Sequence, residues 1–123
     1  MKKIGITGDN GFIGSHLKRF LNLFPKKYKL VSFERGFFEN QNKLDNFVEN
    51  CDCIFHLAGV NRSDDVDYLY RKNIQLSEIL VDSLIRTNFK GNVVMSSSSQ
   101  EDLENSYGNS KKIAREKLKK WSE

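Results

Sequence analysis

The sequence predicts an α/β fold in which helices cover both faces of a doubly wound parallel sheet. Short, mostly apolar segments at residues 4–7, 28–33, 53–57 and 92–95 alternate with segments of helical periodicity. Buried strands separated by helices are typical of parallel sheets. A glycine-rich turn follows the first segment directly and opens a helix, as the first turn of such folds does.

The predicted helices alternate with these strands along a single domain of residues 1–123. They span residues 15–24, 43–50, 66–87 and 107–120. Pro25 ends the first helix, because proline cannot continue one. Residues 36–41 are predicted to be a loop or a very short strand, and residues 60–65 and 100–106 to be loops. About five strands are therefore expected.

The net charge of +4 is concentrated in residues 111–123, which hold six Lys or Arg and two Glu. We interpret this stretch as the solvated face of a helix, and we expect neither a nucleic-acid nor a membrane partner. The first strand begins too early for a signal peptide, so a cytoplasmic location is predicted. Cys51 and Cys53 are expected to be reduced packing residues on one face of a strand, with no metal site.

Gly8, Gly11 and Gly14 lie between the first strand and the first helix. In a dinucleotide-binding turn the first glycine permits the tight turn and the second lets the backbone approach a pyrophosphate. The third lets the helix pack close to the strand. The amides at the start of the helix then face the anion. We therefore predict that this turn binds a dinucleotide.

Tyr107 and Lys111 are four residues apart, which places them on one face of a helix. A nearby ammonium favours a tyrosinate, so such a tyrosine can give or take a proton at a carbinol or ketone. Four serines at residues 96–99 follow the last predicted strand. Ligands of open α/β sheets bind at that end of the strands. These residues are therefore candidates for proton-transfer chemistry.

Several motifs together resemble those of the extended short-chain dehydrogenase/reductase family, in its NAD-dependent epimerase/dehydratase group. They are TGDNGFIG at residues 7–14, HLAG at 56–59, SSS at 96–98 and the Tyr107–Lys111 pair. The resemblance implies a Rossmann-like fold that stops after the helix carrying this pair, whereas family members continue. On that basis we expect this domain to be the N-terminal part of a longer architecture.

A closer resemblance is to the capsular-polysaccharide reductases. It is carried by the segments HLAGVNR, SSSSQ and NSYGNSK and by the short separation between the serines and Tyr107. It implies NADPH-dependent reduction of the 4-keto group of a UDP-2-acetamido-2,6-dideoxy-hexulose in surface-polysaccharide synthesis. Three alternatives stay open: a nucleotide-sugar epimerase or dehydratase, a non-catalytic NADP(H)-binding module, and the inert product of a truncated gene. An active enzyme would bind a UDP-linked 4-keto amino sugar, as a homodimer or with a partner subunit.

The resemblance also assigns roles to individual residues. Ser98, Tyr107 and Lys111 would be catalytic, with Ser97 as the alternative serine. His56 could equally be an ordinary strand-end residue, and Asn73 could position the site or merely pack. The residues implied in cofactor binding are Gly8, Gly11, Phe12, Ile13, Gly14, Arg35, His56, Ala58, Gly59 and Lys111.

The choice of cofactor depends on the end of the second predicted strand. Glu34 stands where an acidic residue would bind the ribose hydroxyls of NAD, and Arg35 stands where a cation would accept a 2′-phosphate. These two residues are compatible with either cofactor, and the resemblance to the reductases favours NADP(H) over NAD(H).

Overall fold

The computed structural model describes residues 1–60 and 62–123, so one position of the predicted 60–65 loop lies outside the described residues. Within this part of the chain, four strands and four α-helices alternate. The strands are β1 (Lys2–Thr7), β2 (Tyr28–Val31), β3 (Cys53–His56) and β4 (Asn92–Met95). The helices are α1 (Phe12–Leu21), α2 (Gln41–Glu49), α3 (Val66–Arg86) and α4 (Ser106–Ser122).

All four strands are parallel, in the order β2-β1-β3-β4. In this register Ile4 of β1 stands opposite Leu30 on one side and Cys53 on the other. The chain leaves β1 in one direction to form β2 and returns past it to form β3. The strand order therefore reverses between β1 and β3, and ligands of open α/β sheets bind at such a switch point. The predicted fold class is confirmed.

Alternation along β1 explains why both faces of the sheet are covered. Ile4 and Ile6 point to one face, where they pack with Leu21 of α1 in a buried cluster. Gly5 points to the other face, where a Cβ would overlap the ring of Phe47 on α2 and the sulfur of Cys51. Glycine at this position lets α2 lie close against the central strand.

The structure departs from the predicted elements at three places. Residues 36–41 contain a short 3₁₀ helix, Arg35–Glu39, so the described residues form four strands rather than about five. A second 3₁₀ helix, Ser99–Asp102, occupies part of the predicted polar loop. The first helix begins at Phe12 rather than at residue 15, so Gly14 lies inside it. Each difference reflects tertiary packing that overrides local propensity.

The two cysteines are free, as predicted, but they do not share a face. Cys51 precedes β3, and its thiol donates to the carbonyl of Phe47 at 3.2 Å. Cys53 lies within β3 and packs against the Ile4 cluster on the opposite face. Burial raises the pKa of the Cys51 thiol to about 12, so this residue stays protonated and serves packing.

Asp45 of α2 forms an ion pair and hydrogen bonds with the C-terminal end of α3. Arg86 donates to its two carboxylate oxygens at 2.8 and 3.0 Å, and Ser83 donates at 2.6 Å. The Arg86 hydrogen bonds hold the pKa of the carboxyl below its ordinary value against the opposing effect of burial. The carboxylate therefore contributes stability above its unfolded pKa, and this is lost as the pH falls through the lower folded pKa.

We expect Asp45→Asn to lower the unfolding free energy at pH 7 by about 1 kcal/mol, since these groups are partly exposed. The difference from the wild type should disappear at an acidic pH that lies below the lowered pKa of the folded carboxyl. Urea unfolding at both pH values measures this. Asp82→Asn, at an exposed position of α3, is the matched control. An equal loss for the two variants, or a loss that persists at low pH, would contradict the prediction.

Two parts of the chain each pack within themselves: residues 1–58 with 83–96, and residues 59–82 with 97–123. The whole sheet lies in the first part. Across the described residues, none of the helices is long and apolar enough to cross a membrane.

Candidate functional site

The glycine turn after β1 has the local geometry of an anion-binding turn. Gly8 has a φ of 73°, and a Cβ there would lie 2.8 Å from the backbone nitrogen of Ala58. A Cβ on Gly14 would overlap the carbonyl oxygen of Gly8 and lie 2.8 Å from the Cα of Asp9. The exposed Gly11 caps α1 without a side-chain hydrogen bond. The first amides of the helix are therefore oriented toward this turn, where an anion can accept from them.

Thr7, the last residue of β1, links the ends of two strands. It is completely buried, and its hydroxyl lies 2.8 Å from Nδ1 of His56 at the end of β3. The same oxygen accepts the backbone N–H of Ala58 at 3.2 Å. His56 is itself 1% exposed, so its contact with Thr7 fixes the segment after β3 against the glycine turn. The structure thus brings His56 and Ala58 together with Gly8.

The other cofactor candidates in this part of the chain are exposed. Phe12 and Ile13 are 80% and 59% exposed at the start of α1. Arg35 is an exposed residue that opens the first 3₁₀ helix, directly after Glu34. Because β1 and β2 are parallel, Arg35 and the glycine turn follow strand ends at the same edge of the sheet.

In the second part of the chain, α4 carries Tyr107 in its first turn and Lys111 one turn later. Asn105 caps this helix by accepting the Gly108 N–H at 2.7 Å. A Cβ on Gly108 would overlap the carbonyl oxygen of Gln100, so glycine allows the helix to approach the preceding 3₁₀ helix. Tyr107 is half-buried.

Lys111 is buried although it belongs to the most basic stretch of the sequence. Burial lowers the pKa of its ammonium, and the carboxylate of Glu101 opposes this effect. Its Nζ lies 3.7 Å from the position that a Cβ would occupy on Gly59. The predicted cofactor residues Gly59 and Lys111 are therefore neighbours, and Lys111 is not part of the solvated face expected for the basic stretch of residues 111–123.

Asn73 of α3 forms a clamp between the segment after β3 and helix α4. Its Oδ1 accepts the Val60 N–H at 2.6 Å, and its Nδ2 donates to the Val60 carbonyl at 2.8 Å. Nδ2 also lies 3.1 Å from the hydroxyl of Ser110, the residue before Lys111. Asn73 is 4% exposed. Asn73 therefore joins the segment after β3 to the first turns of α4.

The serines that follow β4 have different hydrogen-bond partners. Ser97 donates to the carboxylate of Glu101, which also accepts from Arg115 of α4 at 3.0 Å. Hydrogen bonds from Arg115, with a further one from Ser97, lower the pKa of Glu101. The Ser98 hydroxyl accepts the Gln100 N–H at 3.1 Å and keeps its own proton to donate. The proton of Ser97 is thus used by Glu101, whereas the contact of Ser98 with Gln100 does not use the proton of Ser98.

Three residues of these networks were not identified from the sequence. Thr7 was part of the glycine motif but had no assigned role, although a threonine ending a buried strand beside that turn was a usable signal. Glu101 and Arg115 are far apart in sequence and their pairing has no local signature. Among residues 1–60 and 62–123, no cluster of three or more His, Cys, Asp or Glu could hold a metal ion.

Comparison with known proteins identifies the family. The sequence pattern of the NAD dependent epimerase/dehydratase family matches residues 4–120, almost the whole chain. The chain belongs to this family. The resemblance predicted from the glycine, serine and tyrosine–lysine motifs is therefore confirmed.

Individual relatives of this family share the fold and, in one case, substantial sequence identity. A UDP-2-acetamido-2,6-beta-L-arabino-hexul-4-ose reductase of Pseudomonas aeruginosa is 33% identical over 117 residues, covering 94% of this chain. RMD from Pseudomonas aeruginosa, solved with NADPH, matches 99% of this chain with a TM-score of 0.82 and 22% identity. A UDP-glucuronic acid 4-epimerase from Bacillus cereus, solved with NAD, matches 97% with a TM-score of 0.76 and 22% identity.

The chain spans only part of these family members. It covers 30% of the curated reductase, 49% of the RMD chain and 52% of the epimerase chain. The two structural likenesses establish the Rossmann-like fold of the family for this chain.

Proposed function

We propose that this chain forms the cofactor-binding and proton-transfer part of an NAD(P)H-dependent reductase acting on a nucleotide sugar with a 4-keto group. The observation that carries the proposal is the environment of Lys111, a buried lysine one helical turn after Tyr107 and close to Gly59. The identity shared with a UDP-hexul-4-ose reductase supports this choice of substrate class.

The glycine turn is compatible with a dinucleotide, because its glycines allow the tight turn and the close approach of α1 that leave the first helical amides facing outward. A Cβ at Gly14 or Gly8 would meet backbone atoms, and a Cβ at Gly11 would lie 3.3 Å from the Gly8 carbonyl. The amides that begin α1 would bind the phosphates. Phe12 and Ile13 would line the cofactor there, together with His56 and Ala58 at the end of β3. When bound, the reduced nicotinamide supplies the hydride.

The residues of the second part would hold the cofactor ribose and control the proton. Lys111 would bind the nicotinamide ribose and stabilise negative charge on Tyr107. Tyr107 would protonate the C4 oxygen of the sugar as hydride reaches C4. Ser98 would donate a hydrogen bond to the same oxygen, since its proton is not used in its contact with Gln100.

We further propose that NADP(H) is preferred over NAD(H). Arg35 is an exposed cation placed at the same edge of the sheet as the glycine turn, where it would pair with a 2′-phosphate. Glu34 beside it would favour the free ribose hydroxyls of NAD instead. We therefore expect Arg35 to have the larger effect on cofactor preference.

The test is a fluorescence titration of the chain with NADPH and with NADH, followed by turnover with a UDP-linked 4-keto-hexulose. We expect saturable NADPH binding that is at least about tenfold tighter than NADH binding. Arg35→Gln should remove most of this difference, whereas Arg62→Gln, also at an exposed arginine, should not. Binding of neither nucleotide would overturn the cofactor assignment. Binding without turnover would instead indicate a nucleotide-binding module.

A further inference from the structure

Helix α1 ends in a group of exposed apolar side chains. Phe20 is 56% exposed, Leu23 is 71% exposed and Phe24 is 37% exposed. Single exposed apolar residues are normal on a protein surface, but clusters mark binding sites. These three lie within one turn of the chain.

The backbone around these side chains is held in place by hydrogen bonds. Leu23 N–H donates to the Phe20 carbonyl at 3.1 Å, and Tyr28 N–H donates to the Phe24 carbonyl at 3.0 Å. The rings of Phe20 and Phe24 are 5.4 Å apart, and those of Phe24 and Tyr28 are 6.4 Å apart. Because Tyr28 begins β2, the exposed group is fixed to the sheet rather than carried on a free loop.

Positive charge surrounds this apolar group. Residues 10–33 contain five Lys or Arg and no acidic residue. Lys18 pairs with Asp9 at 3.2 Å, whereas the other four cations are exposed. The ammonium of Lys27 lies 5.7 Å from the centre of the Phe24 ring. Cations and apolar side chains thus share one surface.

This surface lies at the edge of the sheet opposite the glycine turn. Lys2, the first residue of β1, stands in register with Tyr28, and its N–H donates to the Lys27 carbonyl at 2.9 Å. The glycine turn follows Thr7, the last residue of the same strand. A ligand bound here would leave the proposed cofactor site open.

We propose that this surface, the α1–β2 surface, binds the face of an anionic lipid bilayer. Its members are Arg19, Phe20, Leu23, Phe24, Lys26 and Lys27. Shallow burial of apolar side chains combined with attraction of lysines to acidic headgroups is the usual basis of peripheral membrane binding. The sequence analysis expected no membrane partner because it considered only the basic stretch of residues 111–123, which it interpreted as the solvated face of a helix.

Two other occupants fit the surface less well. A second copy of the chain would bring a second set of cations against the first, and like charges repel. Nucleic acid would use the cations, but the most exposed apolar residue of this surface is Leu23, which cannot stack on a base as an aromatic ring can.

The experiment is co-sedimentation of the folded chain with vesicles of about 30% phosphatidylglycerol in phosphatidylcholine, compared with pure phosphatidylcholine. We expect binding to the anionic vesicles only. Lys26→Glu/Lys27→Glu should weaken binding at least about twenty-five-fold, from about fivefold per lost lysine. Phe20→Ser/Leu23→Ser should weaken it at least about tenfold, because apolar insertion is lost.

Matched controls separate this surface from general charge and hydrophobicity. Lys119→Glu/Lys120→Glu removes two exposed lysines from α4, and Ile85→Ser/Leu103→Ser removes apolar residues that are 62% and 58% exposed. Both control variants should bind anionic vesicles within about twofold of the wild type, and circular dichroism should show all four variants folded.

The proposal is overturned if the wild type does not bind anionic vesicles, or if the control variants lose as much affinity as the test variants. It is also overturned if the wild type self-associates or binds a DNA duplex but does not bind vesicles, and the α1–β2 variants abolish that self-association or DNA binding. None of these outcomes depends on cofactor binding or turnover, so the result is independent of the proposed function.

Discussion

Replacing Tyr107 by phenylalanine is expected to reduce turnover of a UDP-linked 4-keto sugar at least about a hundredfold. The affinity for NADPH should stay within about twofold of the wild type, because the ring and helix α4 are retained. The change removes only the phenolic hydroxyl, whose proton the proposed mechanism delivers to the C4 oxygen. NADPH oxidation at saturating substrate, with a parallel cofactor titration, measures both quantities.

Lys111→Met and Tyr68→Phe complete this test. Lys111→Met removes a buried ammonium that is proposed to bind the cofactor ribose, so cofactor affinity and turnover should both fall. Tyr68→Phe makes the same chemical change as Tyr107→Phe at an exposed position of α3, and it should leave both quantities unchanged. If Tyr107→Phe keeps more than about half of the wild-type turnover, another group delivers the proton.

Gly14→Ala is expected to destabilise the chain by about 2–3 kcal/mol and to weaken NADPH binding at least about tenfold. Alanine is the better helix former by up to about 1 kcal/mol, which on its own would stabilise α1. The new methyl group, however, would overlap the carbonyl oxygen of Gly8 and crowd the Cα of Asp9. Backbone atoms cannot rotate away, so the turn must move, and the steric effect exceeds the gain in propensity.

Gly36→Ala is the matched control for this substitution. A Cβ at Gly36 would meet nothing within 4 Å, and the residue lies in the first 3₁₀ helix. Its unfolding free energy should stay within about 0.5 kcal/mol of the wild type. Urea unfolding and NADPH titration of the two variants give the comparison. Equal stability and equal affinity for Gly14→Ala would show that the turn tolerates a side chain.

The strands and the order of elements could be predicted because their signals are local. Apolar segments bounded by turns identified the strands. The residues around 36–41 were less clear, since Phe37 and Phe38 could belong to a short strand. They form a 3₁₀ helix because the two rings pack edge-on against Phe33, and Phe37 also packs near Phe47 of α2. That arrangement depends on contacts with Phe33 and α2, which lie outside the segment, so the composition of the segment alone does not predict it.

The features of the candidate site also fall into two groups, those with a local sequence signal and those that depend on tertiary packing. The spacing of Gly8 and Gly14, and of Tyr107 and Lys111, carries its own signal. The burial of Lys111 does not, because a lysine among lysines is normally solvated. The bonds of Glu101 to Ser97 and Arg115 likewise depend on how the chain returns after β4.

The position of β1 in the sheet affects how the chain can fold as it leaves the ribosome. β1 is synthesised before the other three described strands, yet it is an inner strand, and its second neighbour, β3, ends only at His56. Until then Ile4 and Ile6 belong to a nascent segment that has one unpaired edge. Parallel pairing over such separations is slow compared with helix formation. The apolar residues of β1 are therefore open to non-native association until β3 has been synthesised.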